Sequence, residues 1–137
     1  MGLINPVIGD IREHWHWVKP GVEEILATQP QLSYKPEDVY AECLYGESTL
    51  WVAEEGFVVA RSYTDPYSGK KILFVWIAWA KEQGGKNVAR YLDFVAEVAK
   101  STEHSILEVR TPLDPMKPYL TSLGFEIEAV IYKKEIQ

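Results

Sequence analysis

The stretch Ile72–Ala80 (ILFVWIAWA) constrains the fold more strongly than any other part of the sequence. Its apolar length is about half of what a membrane-spanning helix requires. A strand with one face in water alternates apolar and polar residues, whereas this stretch is apolar at nearly every position. We therefore expect Ile72–Ala80 to be an interior strand of a sheet that is covered on both faces.

The composition is typical of one globular domain. The chain has 137 residues, of which 47% are hydrophobic, and this length supports one sizeable core, so we expect residues 1–137 to form a single domain. Lys and Arg number 14 and Asp and Glu number 20, so the formal net charge is −6. This acidic balance, without any basic run, disfavours nucleic acid as a partner, because phosphate contacts need clustered Lys and Arg.

The cysteine content and the first residues indicate a compartment. Cys43 is the only cysteine, which excludes an intramolecular disulfide and a multi-cysteine zinc site. The opening residues, MGLINPVIGDIREHW, lack the basic start and the apolar core of a secretory signal. We expect a soluble, cytoplasmic protein that does not bind a membrane.

The first third of the chain has helical patterning. Residues 9–47 predict mainly helix: one helix with Pro20 in its first turn that ends before Pro30, and a second that begins near Pro36 after Ser33. The pattern then changes to a period of two. The next strands are expected at Thr49–Ala53 and Phe57–Tyr63, joined by a tight turn at Glu54-Glu55-Gly56.

The second half predicts alternating helices and strands. A helix is expected over residues 85–100, because apolar residues recur at helical spacing from Val88 to Ala99. A strand at Ile106–Val109, a short helix at Asp114–Leu123 ended by Gly124, and a last strand at Phe125–Tyr132 complete the chain. A helix between two strands usually makes a parallel connection, so the fold class is α/β with a mixed, mostly antiparallel, twisted sheet and flanking helices.

The passage from the apolar strand into the long helix predicts a binding site. Gly84 and Gly85 follow the strand and precede a helix N-terminus, where unpaired N–H groups and the helix dipole attract anions, and Lys86 adds a positive charge. The segment carries neither a Walker loop nor a dinucleotide-binding glycine motif. A glycine-rich turn that only joins strand to helix is the alternative interpretation.

Two segments resemble the GNAT superfamily of acetyl-coenzyme A-dependent N-acetyltransferases. The residues of Gly84–Ala89 (GGKNVA) match the loop and helix start that hold the cofactor pyrophosphate in that family, and those of Tyr119–Glu126 (YLTSLGFE) are similar to the family motif before the last strand. The resemblance implies a GNAT-like fold and acetyl-CoA (coenzyme A) as co-substrate. It assigns cofactor binding to Trp79, Lys81, Gly84, Gly85, Lys86, Asn87, Val88 and Ala89.

The sequence departs from the family pattern at several of these positions. Gly84 stands where the motif has Gln or Arg, and Asn87 where it has its first Gly. The tyrosine that often protonates the leaving thiolate corresponds to Leu120, and an asparagine often found on the preceding loop corresponds to Leu113. Tyr119, one residue from the usual position, is therefore the candidate proton donor.

Acetyl transfer to an amine needs a base to remove the ammonium proton, often through water. Glu54 is the candidate base, and Glu55 and Glu108 also lie in or at the end of predicted strands. For each of the three, a solvated surface carboxylate is the alternative interpretation.

Other chemistry-bearing residues have simpler interpretations. His14 and His16 are spaced so that they face different sides of a helix, so we expect a packing segment and no metal site. His104 is expected at the surface and Cys43 as a buried thiol. The tryptophans are expected in the core, although Trp76 and Trp79 could also line a ligand cleft.

Two functions of different kinds follow. The first is an acetyl-CoA-dependent N-acyltransferase that acts on an amine of a small molecule or a protein. The second is a GNAT-fold protein with weak or no catalysis that acts by binding, because the chain also resembles small GNAT-like accessory and internal virion proteins of tailed phages. In that case it would reside in the host cytoplasm or the virion. A monomer or a homodimer is expected in either case.

Overall fold

In the part of the chain that the structure describes, a five-stranded sheet carries helices on both faces. The computed structural model describes residues 6–81, 87–110 and 116–136, and at residues 87–89 and 116 it describes the backbone alone. The elements, in chain order, are β1 (Val7–Ile8), α1 (Ile11–Thr28), α2 (Pro36–Leu44), β2 (Thr49–Ala53), β3 (Gly56–Thr64), β4 (Lys71–Ala80), α3 (Asn87–Ser101), β5 (Ile106–Val109) and α4 (Met116–Ser122).

The strands lie in the sheet in the order in which they occur in the chain. The pairs β1–β2, β2–β3 and β3–β4 are antiparallel, and β4–β5 is parallel. The β2–β3 turn is tight because Ala53 pairs with Gly56. These pairings confirm the predicted α/β class, the mixed sheet and the interior position of β4, which has β3 on one side and, along Ile72–Val75, β5 on the other.

The two faces of the sheet carry separate cores. Adjacent residues Val58 and Val59 of β3 are both fully buried and belong to different cores, so this strand is covered on both sides. The α3-side core contains the buried residues Trp51, Val58, Ala60, Leu73, Val75, Ala80, Tyr91, Leu92, Val95 and Ala99. The α1-side core contains Ile11, Val18, Val22, Val39, Leu50, Val52, Phe57, Val59 and Ile77.

A β-bulge at Trp76 divides β4 into two halves. Val59 of β3 pairs with Ile77 and Ala60 pairs with Val75, so Trp76 has no partner in β3. Before the bulge Val75 packs in the α3-side core, and after it both Trp76 and Ile77 pack in the α1-side core. The extra residue therefore exchanges the faces to which odd and even residues of β4 point.

Helix α1 begins earlier than the sequence pattern predicts. Asp10 caps it by accepting a hydrogen bond from the Arg12 N–H at 2.9 Å, so Pro20 lies inside the helix and not in its first turn. Proline has no backbone N–H, so the hydrogen bond to the His16 carbonyl is missing. The packing of buried Gly21 and Val22 against the sheet stabilises the helix despite this missing bond. The end of the helix before Pro30 is confirmed.

The prediction of a last strand at Phe125–Tyr132 is wrong. These residues are outside the sheet, and Ile127, Val130 and Tyr132 are 62%, 66% and 91% exposed. The segment has the composition of a strand, but strand propensity takes effect only where a partner edge pairs with it. Gly124, with φ +91°, ends the α4 region as expected.

Candidate functional site

Strand β4 continues beyond the end of its neighbour β5. Ile72–Val75 pair with Ile106–Val109, whereas within the described part of the chain Trp76–Ala80 have no strand neighbour on that side. The bulge at Trp76 lies where this pairing stops. Bulges are frequent beside functional sites because they bend a strand and redirect its side chains. The free half of β4 is therefore the first element of a candidate site.

Helix α3 supplies the second element. It starts at Asn87, just after β4, and Tyr91, Leu92, Val95 and Ala99 hold it against the sheet. The backbone of β4 requires a glycine at Gly56 of β3, and the Tyr91 hydroxyl of the helix approaches the same position. A Cβ added at Gly56 would lie 2.9 Å from Tyr91 Oη and only 2.1 Å from the Trp79 carbonyl oxygen. Helix α3 therefore begins beside the end of β4 that, among the described residues, has a strand neighbour on one side alone.

The residues of the predicted pyrophosphate loop fall largely outside the described part. Gly84, Gly85 and Lys86 lie outside it, as does Leu113. Asn87, Val88 and Ala89 are described as the first residues of α3, by their backbone alone. The first N–H groups of a helix have no intrahelical partner, which is the feature an anion at this position would use.

Trp79, predicted to bind the cofactor, packs on the α1 side of the sheet. Its ring stacks on Phe57 with centroids 5.5 Å apart, and a Cβ at Gly21 would lie 3.0 Å from it. Its Nε1 is buried and has no hydrogen-bond partner in residues 6–81, 87–110 and 116–136. Trp76 lies on the same side, with its ring 5.0 Å from that of Tyr34.

Glu54 and Lys81 line one open pocket of about 410 Å³. Both side chains are exposed, and the Lys81 N–H donates to the Glu55 carbonyl at 2.8 Å, which joins the end of β4 to the β2–β3 turn. The pocket also contains an aromatic pair, in which Trp17 Nε1 donates to His14 Nδ1 at 3.1 Å. The remaining lining residues are Val7, Val52 and Ala53.

Tyr119 packs against the α3-side core from α4. Its Oη is buried and has no hydrogen-bond partner within the described ranges. Burial, with a smaller contribution from the negative charge of Asp93, raises the pKa of the Tyr119 phenol above its usual 10.0. The phenol is therefore protonated at neutral pH and can donate a proton. Leu120 packs against the same core.

Glu108 is held far more firmly than a solvated surface carboxylate. Its side chain is 16% exposed, Tyr63 Oη donates to Oε1, and Arg110 Nε lies 2.6 Å from Oε2. The Arg110 guanidinium also lies 4.5 Å above the Phe74 ring. The hydrogen bond to Glu108 is the main cause of the raised pKa of Tyr63. The sequence signal for this group was the spacing of Glu108 and Arg110, which places both on one face of a strand.

Glu108 and Tyr119 lie on opposite faces of the sheet. Leu107 and Val109 of β5 pack in the α3-side core with Tyr119, so Glu108 between them faces the α1 side. Glu108 pairs with Phe74, one residue before the β4–β5 pairing ends. Glu54, in contrast, lines the pocket at the β2–β3 turn, so Glu54 and Tyr119 do not share that pocket.

The remaining candidates have packing roles. His14 is half-buried against Trp17 and His16 is exposed, and the described residues hold no group of three or more side chains able to bind a metal ion. Burial, and secondarily the charge of Glu42, raises the pKa of the Cys43 thiol to about 11. A thiol with this pKa is protonated at neutral pH and is a poor nucleophile.

No helix in the described ranges is long and apolar enough to cross a membrane.

Comparison with solved structures assigns the fold. The chain is similar to a probable acetyltransferase with a TM-score of 0.74 and 20% identity, covering 98% of this chain and 99% of the other. It is similar to the ribosomal-protein-alanine N-acetyltransferase of Brucella melitensis biovar Abortus 2308, with a TM-score of 0.74, 13% identity and coverages of 97% and 100%. A third is an acetyltransferase of Trypanosoma brucei, with a TM-score of 0.67, 11% identity and coverages of 96% and 99%.

These structures share the fold over nearly their whole length. The chain therefore has a GNAT-like fold, as the sequence predicts. No protein-family model matches the sequence, and a search of curated proteins finds no match.

Proposed function

We propose that the protein is an acetyl-CoA-dependent N-acyltransferase of the GNAT superfamily that acts on an amine. The observation that carries the proposal is the parting of β4 from β5 after Val75, with the start of α3 on one side of the sheet and Glu108 on the other. Such a gap lets a thioester and an amine approach each other from opposite faces.

The start of α3 is the proposed cofactor site. The N–H groups at the first turn of the helix, with Gly84, Gly85 and Lys86 before it, would hold the pyrophosphate of coenzyme A. The free half of β4 offers backbone groups to the amide-containing arm of the cofactor. Acetyl-CoA supplies the acyl group as a thioester, and the residues of this chain bind and orient it.

The reaction is a transfer from sulfur to nitrogen. A neutral amine attacks the thioester carbonyl, the C–N bond forms and the C–S bond breaks. The amine gives up a proton to a carboxylate, and the departing thiolate takes one from an acid. Tyr119 is the proposed acid, since its phenol is protonated and its Oη has no competing partner among the described residues.

Glu108 and Glu54 are both proposed as the carboxylate. Glu108 is favoured because it is partly buried, lies at the end of the β4–β5 pairing and has its orientation fixed by Tyr63 and Arg110. Glu54 lines a separate open pocket that would hold a cationic amine beside Trp17. The proposed acceptor is a primary amine of a small molecule or of a protein.

Calorimetry with coenzyme A, followed by an acetylation assay on a panel of amines, tests the proposal. We expect binding by the wild-type chain and its loss in Gly85→Asp, which places a negative charge beside the pyrophosphate. Glu108→Gln and Glu54→Gln form a matched pair, since each removes one negative charge. The Glu108 variant should lose turnover while binding of coenzyme A is retained. Absence of coenzyme A binding in the wild type would refute the proposal.

A second candidate is a GNAT-fold protein that acts by binding without efficient catalysis, such as a phage accessory or internal virion protein. It is favoured by one observation: Leu120, which occupies the position of the family's tyrosine, is packed on the core. A wild-type chain that binds coenzyme A but acetylates no amine of the panel would support this candidate over the first.

A further inference from the structure

A serine, a histidine and a threonine form a hydrogen-bonded chain at the end of β3 that also carries Tyr63, on the face of the sheet opposite to Glu108. Ser62 Oγ lies 2.7 Å from His104 Nε2, and Thr102 Oγ1 lies 2.7 Å from His104 Nδ1. Ser62 is on β3, Thr102 follows α3, and His104 lies in the loop before β5. Ser62 is exposed, so solvent and small molecules reach its hydroxyl.

The partners of Thr102 fix the tautomer of His104. Thr102 Oγ1 lies 2.6 Å from the Val98 carbonyl oxygen, to which it donates its single proton. It can therefore only accept from His104, so the imidazole proton is on Nδ1. The Nε2 lone pair is left to accept from Ser62. This is the arrangement in which an imidazole acts as a general base toward a hydroxyl group.

His104 is uncharged at neutral pH. Burial, and next the positive charge of Lys71, lower the pKa of its imidazole below 6.5. A neutral imidazole is the form that takes a proton. The Lys71 ammonium donates to the Thr102 carbonyl at 3.4 Å, so a positive charge also lies beside the chain of hydrogen bonds.

The backbone around His104 is held by the helix end. The His104 N–H donates to the Ala99 carbonyl at 2.8 Å, and the Glu103 N–H donates to that of Lys100 at 3.3 Å. Together they form a Schellman motif with Glu103 in the left-handed conformation at φ +61°. The following Ser105 N–H donates to the Lys71 carbonyl at 2.9 Å, which ties the loop to β4.

We propose that Ser62 is a second reactive centre of this protein, an activated nucleophile for acyl esters with His104 as its general base and Thr102 as a positioning residue. Oγ of Ser62 attacks the ester carbonyl, and its proton passes to Nε2 of His104. The bond to the leaving alkoxide or phenolate then breaks, which leaves an acyl ester on Ser62. The proton on His104 passes to the leaving group or to solvent. This site is independent of the proposed acyltransferase function.

The test is reaction of the full chain with p-nitrophenyl acetate, followed by peptide mapping. Trypsin releases Ser62–Lys70 (SYTDPYSGK), which contains Ser62 and also Ser68, an exposed serine bonded to Asp65 and not to a histidine. Ser68 is thus a control within the same peptide. We expect Ser62 to be acetylated at least about 10²-fold faster than Ser68, the lower range for general base catalysis.

Variants separate catalysis from a merely structural hydrogen bond. His104→Gln should reduce the rate at Ser62 to that at Ser68. Thr102→Val should lower the Ser62 rate, because the imidazole proton is then no longer held on Nδ1. Thr102→Ser keeps the hydroxyl group and should retain the wild-type rate. The Ser68 rate should stay unchanged in each variant, and circular dichroism checks that the fold is intact.

Equal rates at Ser62 and Ser68 in the wild type, or a His104→Gln variant as reactive as the wild type, would overturn the proposal. Ser62 would then only tie β3 to the loop. The wild-type comparison remains decisive even if a variant does not fold.

Discussion

The rings of Phe57 and Trp79 stack with centroids 5.5 Å apart and planes inclined by 28°, and Gly21 of α1 lies directly against both. A Cβ at Gly21 would be 2.8 Å from Phe57 Cε2 and 3.0 Å from Trp79 Cδ2. The stacked pair thus sets how closely α1 approaches the sheet, and a glycine is needed at the point of contact.

Gly21→Ala should destabilise the protein although alanine is the better helix former. The propensity gain is about 1 kcal/mol, whereas a methyl group forced against two stacked rings costs about 1–3 kcal/mol. We expect the free energy of unfolding in urea to fall by up to about 2 kcal/mol. Glu23→Ala, at an exposed position of the same helix, is the control and should change it by less than about 0.5 kcal/mol. An increase in stability for Gly21→Ala would contradict this packing.

Val75→Asp should unfold the domain. Val75 is 3% exposed in the α3-side core, and an unpaired charge there costs several kcal/mol, a large part of the stability of a small domain. Circular dichroism should show loss of the cooperative thermal transition. Val7→Asp, at an edge strand where the side chain is 60% exposed, should leave the transition nearly unchanged.

Glu103→Gly should stabilise the protein. Glu103 has φ +61°, a conformation that glycine adopts without steric cost and that is the common position for glycine after a helix. We expect a gain of about 0.5–1 kcal/mol in the free energy of unfolding. Glu97→Gly, at an exposed position inside α3, should instead lower it by about 1 kcal/mol. If both variants were less stable than the wild type, the Glu103 side chain would stabilise the fold by more than its backbone strain costs.

Cys43 should make stability depend on alkaline pH. Its thiol pKa is raised from 9.0 to about 11 by burial and by Glu42, so the folded state favours the protonated form. The resulting stabilisation is fully present below pH 9.0, and it is lost as the pH rises through about 11. The difference in free energy of unfolding between the wild type and Cys43→Ala, measured in urea, should therefore decrease as the pH rises from 9.0 to about 11. A difference that stays constant would refute the raised pKa.

Tyr119→Phe should lower the turnover of the proposed acyltransferase by about 10²-fold, because the ring is kept and the proton donor is removed. Coenzyme A affinity, measured by calorimetry, should be unchanged. Tyr67→Phe, at a turn residue that is 97% exposed, is the control. Wild-type turnover in Tyr119→Phe would exclude this residue as the acid.

The strands at the centre of the sheet could be predicted because their signal is local. Ile72–Ala80 is apolar at nearly every position, and Glu54-Glu55-Gly56 is a turn by its own residues. The β-bulge at Trp76 could not be predicted, because a bulge is defined by the register with β3. The prediction of a strand at Phe125–Tyr132 was wrong for the same reason, because the sequence pattern does not show whether a strand at the edge of the sheet pairs with this segment.

Local sequence patterns could not predict the contacts between site residues that are far apart in the chain. Tyr63 and Glu108 are 45 residues apart, and Ser62 and His104 are 42 apart. These contacts depend on the antiparallel β3–β4 register and the parallel β4–β5 register acting together. The sequence could place Glu108 on a strand, but its partner Tyr63 comes from another strand.

Strand β4 has neighbours on both sides along Ile72–Val75 and on one side along the rest of its length in the described part of the chain. Amide protons of the first half should therefore exchange with deuterated solvent far more slowly than outward-pointing amides of the second half. A molecule bound along the open edge would slow exchange there and nowhere else on the strand. Amide exchange along β4 therefore shows, residue by residue, whether a molecule is bound at the open edge, and no turnover assay is needed.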